Sequence, residues 1–272
     1  MEAVAPERFP PARNIAQRFV AARLKAEALE AYPGPVPPDL AAAYECQEIA
    51  IGLWPDRIAG WKIGRISPEL EGTLGAQRLV GPIFHREVQH ATGRPVSFGV
   101  FAGGFAAIEA EYVFEIGRDA PPGQMRWTPD DAAAIVGRLL VGIETAGSPL
   151  ATINFLGPTV VVSDFGNNAG LILGPEIFNW RRRQPEELTA QSFIDGKSVG
   201  VGGASKILGG PVESLRFAAE HCARMGRPLK AGMYISTGAA TGIHEIVAGQ
   251  RARVDFDGAG SIDCVAKLRR PV

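Results

Sequence analysis

Cysteine is scarce: Cys46, Cys222 and Cys264 are the only three in 272 residues. They are odd in number, widely spaced and without a paired metal spacing, which excludes a disulfide framework and fits a reduced cytoplasm. No apolar run approaches the ~20 residues that span a bilayer, so no membrane partner is expected. Neither sign of charge is in excess, since 28 Lys and Arg stand against 29 Asp and Glu for a net charge of −1. That balance excludes a nucleic-acid surface and an anionic-membrane footprint. The opening MEAVAPERFPPARN has no basic stretch leading into an apolar core, so no secretory signal is read there. What the chain does have is backbone punctuation. Its 33 Gly and 21 Pro imply many turns and hence many short strands. The length suits one large domain, or a main domain with a smaller appendage.

Two helices are expected first. Residues 11–32 place Ile15, Phe19, Ala22 and Ala26 on one helical face. The stretch PGPVPPD ends that helix, and Asp39 caps a second one through about Ile51. From Gly60 the texture changes to short apolar runs between Gly, Pro and Asn. GWKIG, IEAEYVFEIG, LLVGIETAG, TVVVSD and AGLILG all read as strands. Thr128 with Asp131 opens a helix over roughly 129–140, and PVESLRFAAEHCARMG gives another that Gly226 ends. The Gly-broken tail suggests strands joined by tight turns. No internal repeat is present. The expected fold is α+β, with a helical region over 1–58 and a β-rich domain over 59–272.

In IEAEYVFEIG, Ile108, Ala110, Tyr112, Phe114 and Ile116 share one parity and pack a core. Glu109, Glu111, Val113 and Glu115 share the other, and residues two apart on one face sit roughly 6.5–7 Å apart. Either water screens the first two glutamates or something positive is bound there. Glu144 ends another apolar run, and three converging carboxylates would suit a hard divalent cation. The other reading is the wet face of an antiparallel strand. Lys62, framed by Gly60 and Gly64, could bind a carboxylate or move a proton, or could simply guard an edge strand. Asp164 precedes turn-forming Gly166, Asn167 and Asn168, a pattern that is usually an Asx turn. STGAATG and GVGGASKILGG match no phosphate loop and read most simply as hairpins. His85 and His90 fall in a loop-like stretch.

Taken in order, AAAYECQ, GWKIGRIS, EAEYVFEIGRD, VGIETAG, VSDFGNNAGLILG, GVGGASKILGGPVESLRFAAE, GRPLKAGMYISTGAATG and VDFDGAGSIDC resemble the fumarylacetoacetate hydrolase superfamily. Within it they resemble the 2-keto-4-pentenoate hydratase and 4-oxalocrotonate decarboxylase branch. The resemblance implies a mixed β-sandwich or barrel-like roll with an N-terminal helical cap. It implies Mg²⁺ (or Mn²⁺) held by Glu109, Glu111 and Glu144. It makes Lys62 and Asp164 catalytic, and Ser67, Gln77, Asn167 and Thr237 substrate-binding. Family substrates are 2-oxo acids or their dienols, so the implied activity is a metal-dependent hydratase acting on a small 2-oxo or 2-hydroxydienoate acid. A 4-oxalocrotonate-type decarboxylase is the alternative. An acylpyruvate-type carbon–carbon hydrolase, a keto-deoxy sugar acid dehydratase and a non-catalytic partner subunit follow. The resemblance also implies a cytoplasmic homo-oligomer, associated in some cases with a pathway enzyme. The chain departs from the branch in three places. GPIFHREV carries His85 and Arg86 where the branch has an acidic pair, which makes His85 a candidate acid–base group. ETAGSP lacks the arginine that usually follows the third ligand, and Asp164–Phe165–Gly166–Asn167 replaces a D-N-A-S turn.

Overall fold

The computed structural model describes residues 8–272; the start of the segment read for a secretory signal lies outside the described residues. The first helix, α1 (Ala12–Lys25), buries Ile15, Phe19 and Ala22 as the periodicity requires, but stops well before residue 32. Ala26 turns left-handed (φ 56°), Glu27 N–H closes onto Ala22 O at 3.0 Å, and Leu29 then bridges to Leu150. A tertiary contact thus captures the chain that helical periodicity would have extended. Asp39 caps α2 (Leu40–Leu53) by accepting from Ala42 N–H at 2.8 Å. Ile15 and Phe19 of α1 and Cys46 of α2 share one apolar cluster with Phe105, Ala107, Ala146 and Ile153.

Strands carry the rest of the body: β1 (Ile58–Arg65), β2 (Arg78–Phe84), β3 (Val88–His90), β4 (Val96–Val100), β5 (Phe105–Ile116), β6 (Val136–Ser148) and β7 (Asn168–Glu176) come first. They are followed by β8 (Thr189–Ile194), β9 (Lys197–Gly203), β10 (Tyr234–Ser236), β11 (Ile243–Glu245), β12 (Arg251–Phe256) and β13 (Gly260–Leu268). The larger sheet runs β2-β1-β10-β5-β6-β7-β3, with β11 also paired to β5; the smaller runs β4-β13-β12-β8-β9. The remaining helices are α3 (Pro68–Leu74), α4 (Pro129–Ala134), α5 (Ile153–Leu156), α6 (Pro158–Ser163) and α7 (Gly210–Arg224). Two expectations shift here. The helix opened by the Thr128–Asp131 capping box ends at Ala134, because Val136 onward pairs with β5. TVVVSD is helical rather than a strand: Pro158 suits the first helical turn, and Val160 and Val162 are buried.

The fold is the expected α+β roll, with the two sheets packed across the main core. Ile108, Ala110, Tyr112 and Phe114 join Val254, Phe256 and Ile262 in that core, and the Tyr112 and Phe256 rings meet edge-on at 5.8 Å. The opposite face of β5 is dry as well. Val113 packs there with Ile83, Leu140, Leu171 and Leu173, and Glu109 and Glu111 are buried. Glu115, near the strand end, pairs with the half-exposed Arg138.

Candidate active site

Two adjacent strands build the acidic cluster. Alternation sets Glu109 and Glu111 on one face of β5, and the β5–β6 register puts Glu144 directly opposite Glu109. One oxygen from each lies within 4.8 Å of the others. Their relative exposures are 5%, 0% and 0%, which rules out the wet-face reading. Glu111 Oε2 accepts from Gly238 N–H at 2.7 Å, and Glu144 Oε1 accepts from Asn168 Nδ2 at 3.0 Å. Their other oxygens, Glu111 Oε1 and Glu144 Oε2, have no hydrogen-bond partner. A buried carboxylate oxygen without a partner is costly unless a ligand satisfies it.

Lys62 is the cation facing this cluster. It reaches from β1, with Nζ 3.3 Å from Glu144 Oε1, and is itself buried. Burial alone would push its pKa down, but the attraction of Glu144, Glu109 and Glu111 outweighs it and the net direction is up. Burial pushes the Glu109 carboxyl up to about 7, with Lys62 opposing and Glu144 reinforcing. Burial also raises Glu111 and Glu144, and for Glu111 the neighbouring carboxylates add to it. Three carboxylates against one ammonium leave two negative charges uncompensated when all are ionised. An all-oxygen donor set with free, converging oxygens fits a hard divalent cation that supplies those charges.

Backbone geometry brings the turn after α6 down beside Lys62. Phe165, Gly166 and Asn167 are all left-handed, at φ 55°, 64° and 63°. A Cβ on Gly81, which pairs with Lys62, would stand 2.2 Å from Phe165 O, and one on Gly166 would stand 3.3 Å from Lys62 Cδ. Glycine at both positions lets strand and turn touch. Asn167 then reaches the cavity with its buried Oδ1 unpartnered, while Asn168 holds Glu144.

A cavity of about 480 Å³ opens onto Lys62 and Glu109, and it is also lined by Ser67, Asn167 and Thr237. Thr237 spends its hydroxyl proton on Tyr112 O at 2.7 Å, and Ser67 lies exposed at the start of α3. Three expected residues are elsewhere. Asp164 is buried away from the cavity wall, bound by Arg23 at 2.5 Å (Nε to Oδ1) and 2.9 Å (Nη2 to Oδ2) and by Ser148 Oγ at 2.6 Å. Both of its oxygens are engaged there. His85 is exposed just past β2, where its N–H bonds Arg57 O at 3.0 Å. Four residues separate it from Gly81, about 13 Å of strand leading away from the cavity. Gln77 is exposed and donates to Glu71 at 3.0 Å. Sequence reasoning missed Arg23, although a charge four residues after Phe19 on an apolar helical face was a legible signal.

Fold and cluster together define a metal-type carboxylate site on a two-sheet α+β roll. No family model matches the chain. It is similar to a 4-oxalocrotonate decarboxylase of Pseudomonas sp, 25% identical over 254 residues that cover 92% of this chain and 95% of the relative. A 2-keto-4-pentenoate hydratase of Dechloromonas aromatica is 26% identical over 84% of this chain and 86% of its own. Among solved structures, 4-oxalocrotonate decarboxylase from Pseudomonas putida G7, complexed with magnesium and adipate, superposes with a TM-score of 0.78 at 20% identity. That match covers 94% of this chain and 97% of the other. Fumarylpyruvate hydrolase from Pseudomonas aeruginosa, with Mn²⁺ and pyruvate, gives 0.57 at 16% identity over 79% and 91%. Over most of its length the chain is thus similar to 4-oxalocrotonate decarboxylase and 2-keto-4-pentenoate hydratase, and it shares the fold of the solved 4-oxalocrotonate decarboxylase.

Proposed function

We propose that the protein is a divalent-metal-dependent hydratase acting on a small 2-oxo or 2-hydroxydienoate acid. The observation that carries this reading is the buried, converging trio Glu109, Glu111 and Glu144, with two unpartnered oxygens beside a buried lysine. Mg²⁺, or Mn²⁺ in its place, would be held by those three carboxylates and would act as a Lewis acid towards a 2-oxo acid. The chain's own groups do the rest. Lys62 keeps its proton at Nζ because the carboxylates around it stabilise the ammonium, so it binds an anionic oxygen or delivers a proton there. Asn167, with an acceptor free at the cavity wall, orients a donor group of the substrate or a water. Gly238 N–H and Asn168 hold Glu111 and Glu144 so that their free oxygens converge. The large exposed Phe155 and Phe178 support a homo-oligomer, and three reduced cysteines support a cytoplasmic setting.

The test is metal affinity. Glu109→Gln, Glu111→Gln and Glu144→Gln each remove one anionic ligand, so calorimetric titration should show weaker Mg²⁺ binding in every variant. Unchanged affinity in all three would sink the assignment. Turnover of a panel of 2-oxo and 2-hydroxydienoate acids then separates hydration from decarboxylation by product.

A further inference from the structure

The sheet face that carries the carboxylates also carries a hydroxyl without a task. Lys62 of β1 is paired with Ser236 of β10, and Ser236 in turn with Val113 of β5. Directly paired residues project to the same side, so Ser236 stands between Lys62 and Val113 on the carboxylate face. Its neighbour Ile235 points the other way, into the main core with Trp61. The surroundings on the carboxylate side are apolar: Val113 packs there with Ile83, Leu140, Leu171 and Leu173. Ser236 is 0% exposed, and its Oγ has no hydrogen-bond partner among the described residues. An alanine or valine would join that apolar floor without loss, whereas an idle buried hydroxyl is destabilising. A polar group in such a place calls for a partner.

Glu111 has room for it. Glu111 is two residues from Val113 on the same face, which makes it the diagonal neighbour of Ser236 across the strand pair. Such neighbours lie roughly 7–8 Å apart, within reach of a long side chain. Two residues beyond Ser236, Gly238 N–H donates to Glu111 Oε2 at 2.7 Å and draws the carboxylate towards this segment. Glu111 Oε1 is left without a partner. Other donors nearby are committed. The Thr237 hydroxyl donates to Tyr112 O at 2.7 Å, while Asn168 Nδ2 and Lys62 Nζ both face Glu144 Oε1. A carboxylate oxygen can offer one lone pair to a cation and accept a hydrogen bond on the other.

We infer that Ser236 is a positioning residue for Glu111: its hydroxyl donates to the Glu111 carboxylate and fixes how that carboxylate meets a divalent cation. The inference rests on the reading of the three carboxylates as a Mg²⁺ site, and it adds a residue that touches neither cation nor substrate. Both side chains can rotate, so the pair closes as the cation fixes the carboxylate. Hydrogen bonds that orient a metal ligand in this way are worth roughly 10- to 100-fold in metal affinity.

Calorimetric titration with Mg²⁺ and thermal unfolding of the metal-free protein test this together. Ser236→Ala should bind Mg²⁺ roughly 10-fold more weakly. Its metal-free melting temperature should equal or exceed that of the wild type, because an idle buried hydroxyl has been removed. Ser214→Ala removes another buried hydroxyl without a partner, on α7, and should leave Mg²⁺ affinity unchanged. Ser236→Thr and Ser236→Val add nearly the same shape, so strain from the extra bulk is common to both. Ser236→Thr keeps the hydroxyl and should bind Mg²⁺ roughly 10-fold more tightly than Ser236→Val. Equal affinity in those two variants overturns the inference. So does a Ser236→Ala protein that binds Mg²⁺ like the wild type, or one whose metal-free melting temperature falls in step with its affinity. A wild-type protein that does not bind Mg²⁺ refutes the carboxylates as a metal site instead, and the inference falls with it.

Discussion

Arg23→Met removes a charge that the fold places in its interior and tests how the candidate site is supported. Arg23 is 3% exposed and Asp164 1%. The guanidinium makes two bonds to that carboxylate and also donates to Asn168 O at 3.0 Å and Gly147 O at 2.9 Å. Methionine keeps apolar contact with the Phe101 and Phe165 rings, over which the guanidinium lies at 5.7 and 5.1 Å. What is lost is the countercharge, leaving Asp164 with Ser148 Oγ and two carbonyls without their donor. Breaking a buried pair from one side costs about 3–5 kcal/mol. For a chain of this size that corresponds to a drop in melting temperature of roughly 10 °C. The effect should also reach the acidic cluster. Asp164 anchors the three left-handed residues before Asn168, and such a turn persists only when its surroundings hold it. Asn168 holds Glu144, so Mg²⁺ affinity should fall together with stability. Adding Asp164→Leu, which removes the stranded charge, should restore part of the stability. Thermal or urea unfolding and calorimetry read both quantities. An Arg23→Met protein with unchanged stability and unchanged Mg²⁺ affinity would refute the reasoning.

Lys62→Met should lower turnover by roughly 10²–10⁴, the range of a general acid–base group. It should also destabilise the metal-free protein, because three buried carboxylates lose their ammonium; Mg²⁺ should restore the melting temperature but not the rate. His85→Asn should leave turnover and its pH profile near wild type in steady-state assays, since His85 lies outside the cavity wall. His221, packed against Tyr44 at 4.5 Å, is pushed down to about 4 by burial, with Arg224 adding to it. The unfolded chain therefore binds this proton first, so stability is full above pH 6.5 and is lost as pH falls towards 4. The loss amounts to about 3 kcal/mol. Urea unfolding across that window should show a shallower loss for His221→Phe than for the wild type.

Strand alternation is a local rule, and it was enough to set Glu109 beside Glu111 on one face of β5 and Tyr112 on the other. Caps are local too: Asp39 and the Thr128–Asp131 box mark helix starts that the structure keeps. Where those helices stop was not local. A bridge to Leu150 captures the chain soon after α1, and pairing with β5 ends α4 at Ala134. Burial was beyond reach for the same reason. An alternating strand with one acidic face reads as wet until a second layer covers it, and here both faces of β5 are covered. The roles suggested for Asp164 and His85 by their neighbours in the chain meet a similar limit. A partner more than a hundred residues away engages Asp164: Arg23 binds both of its oxygens. Register decides His85, because β2 carries it away from Lys62 as it carries Arg78 along the cavity wall. The sequence by itself determined which residue types stand on which face and where helices begin, because backbone geometry and capping act within a few residues. Tertiary structure alone decided which charges lost water, which found a partner and which were left converging on one cavity, because burial and pairing depend on distant segments meeting.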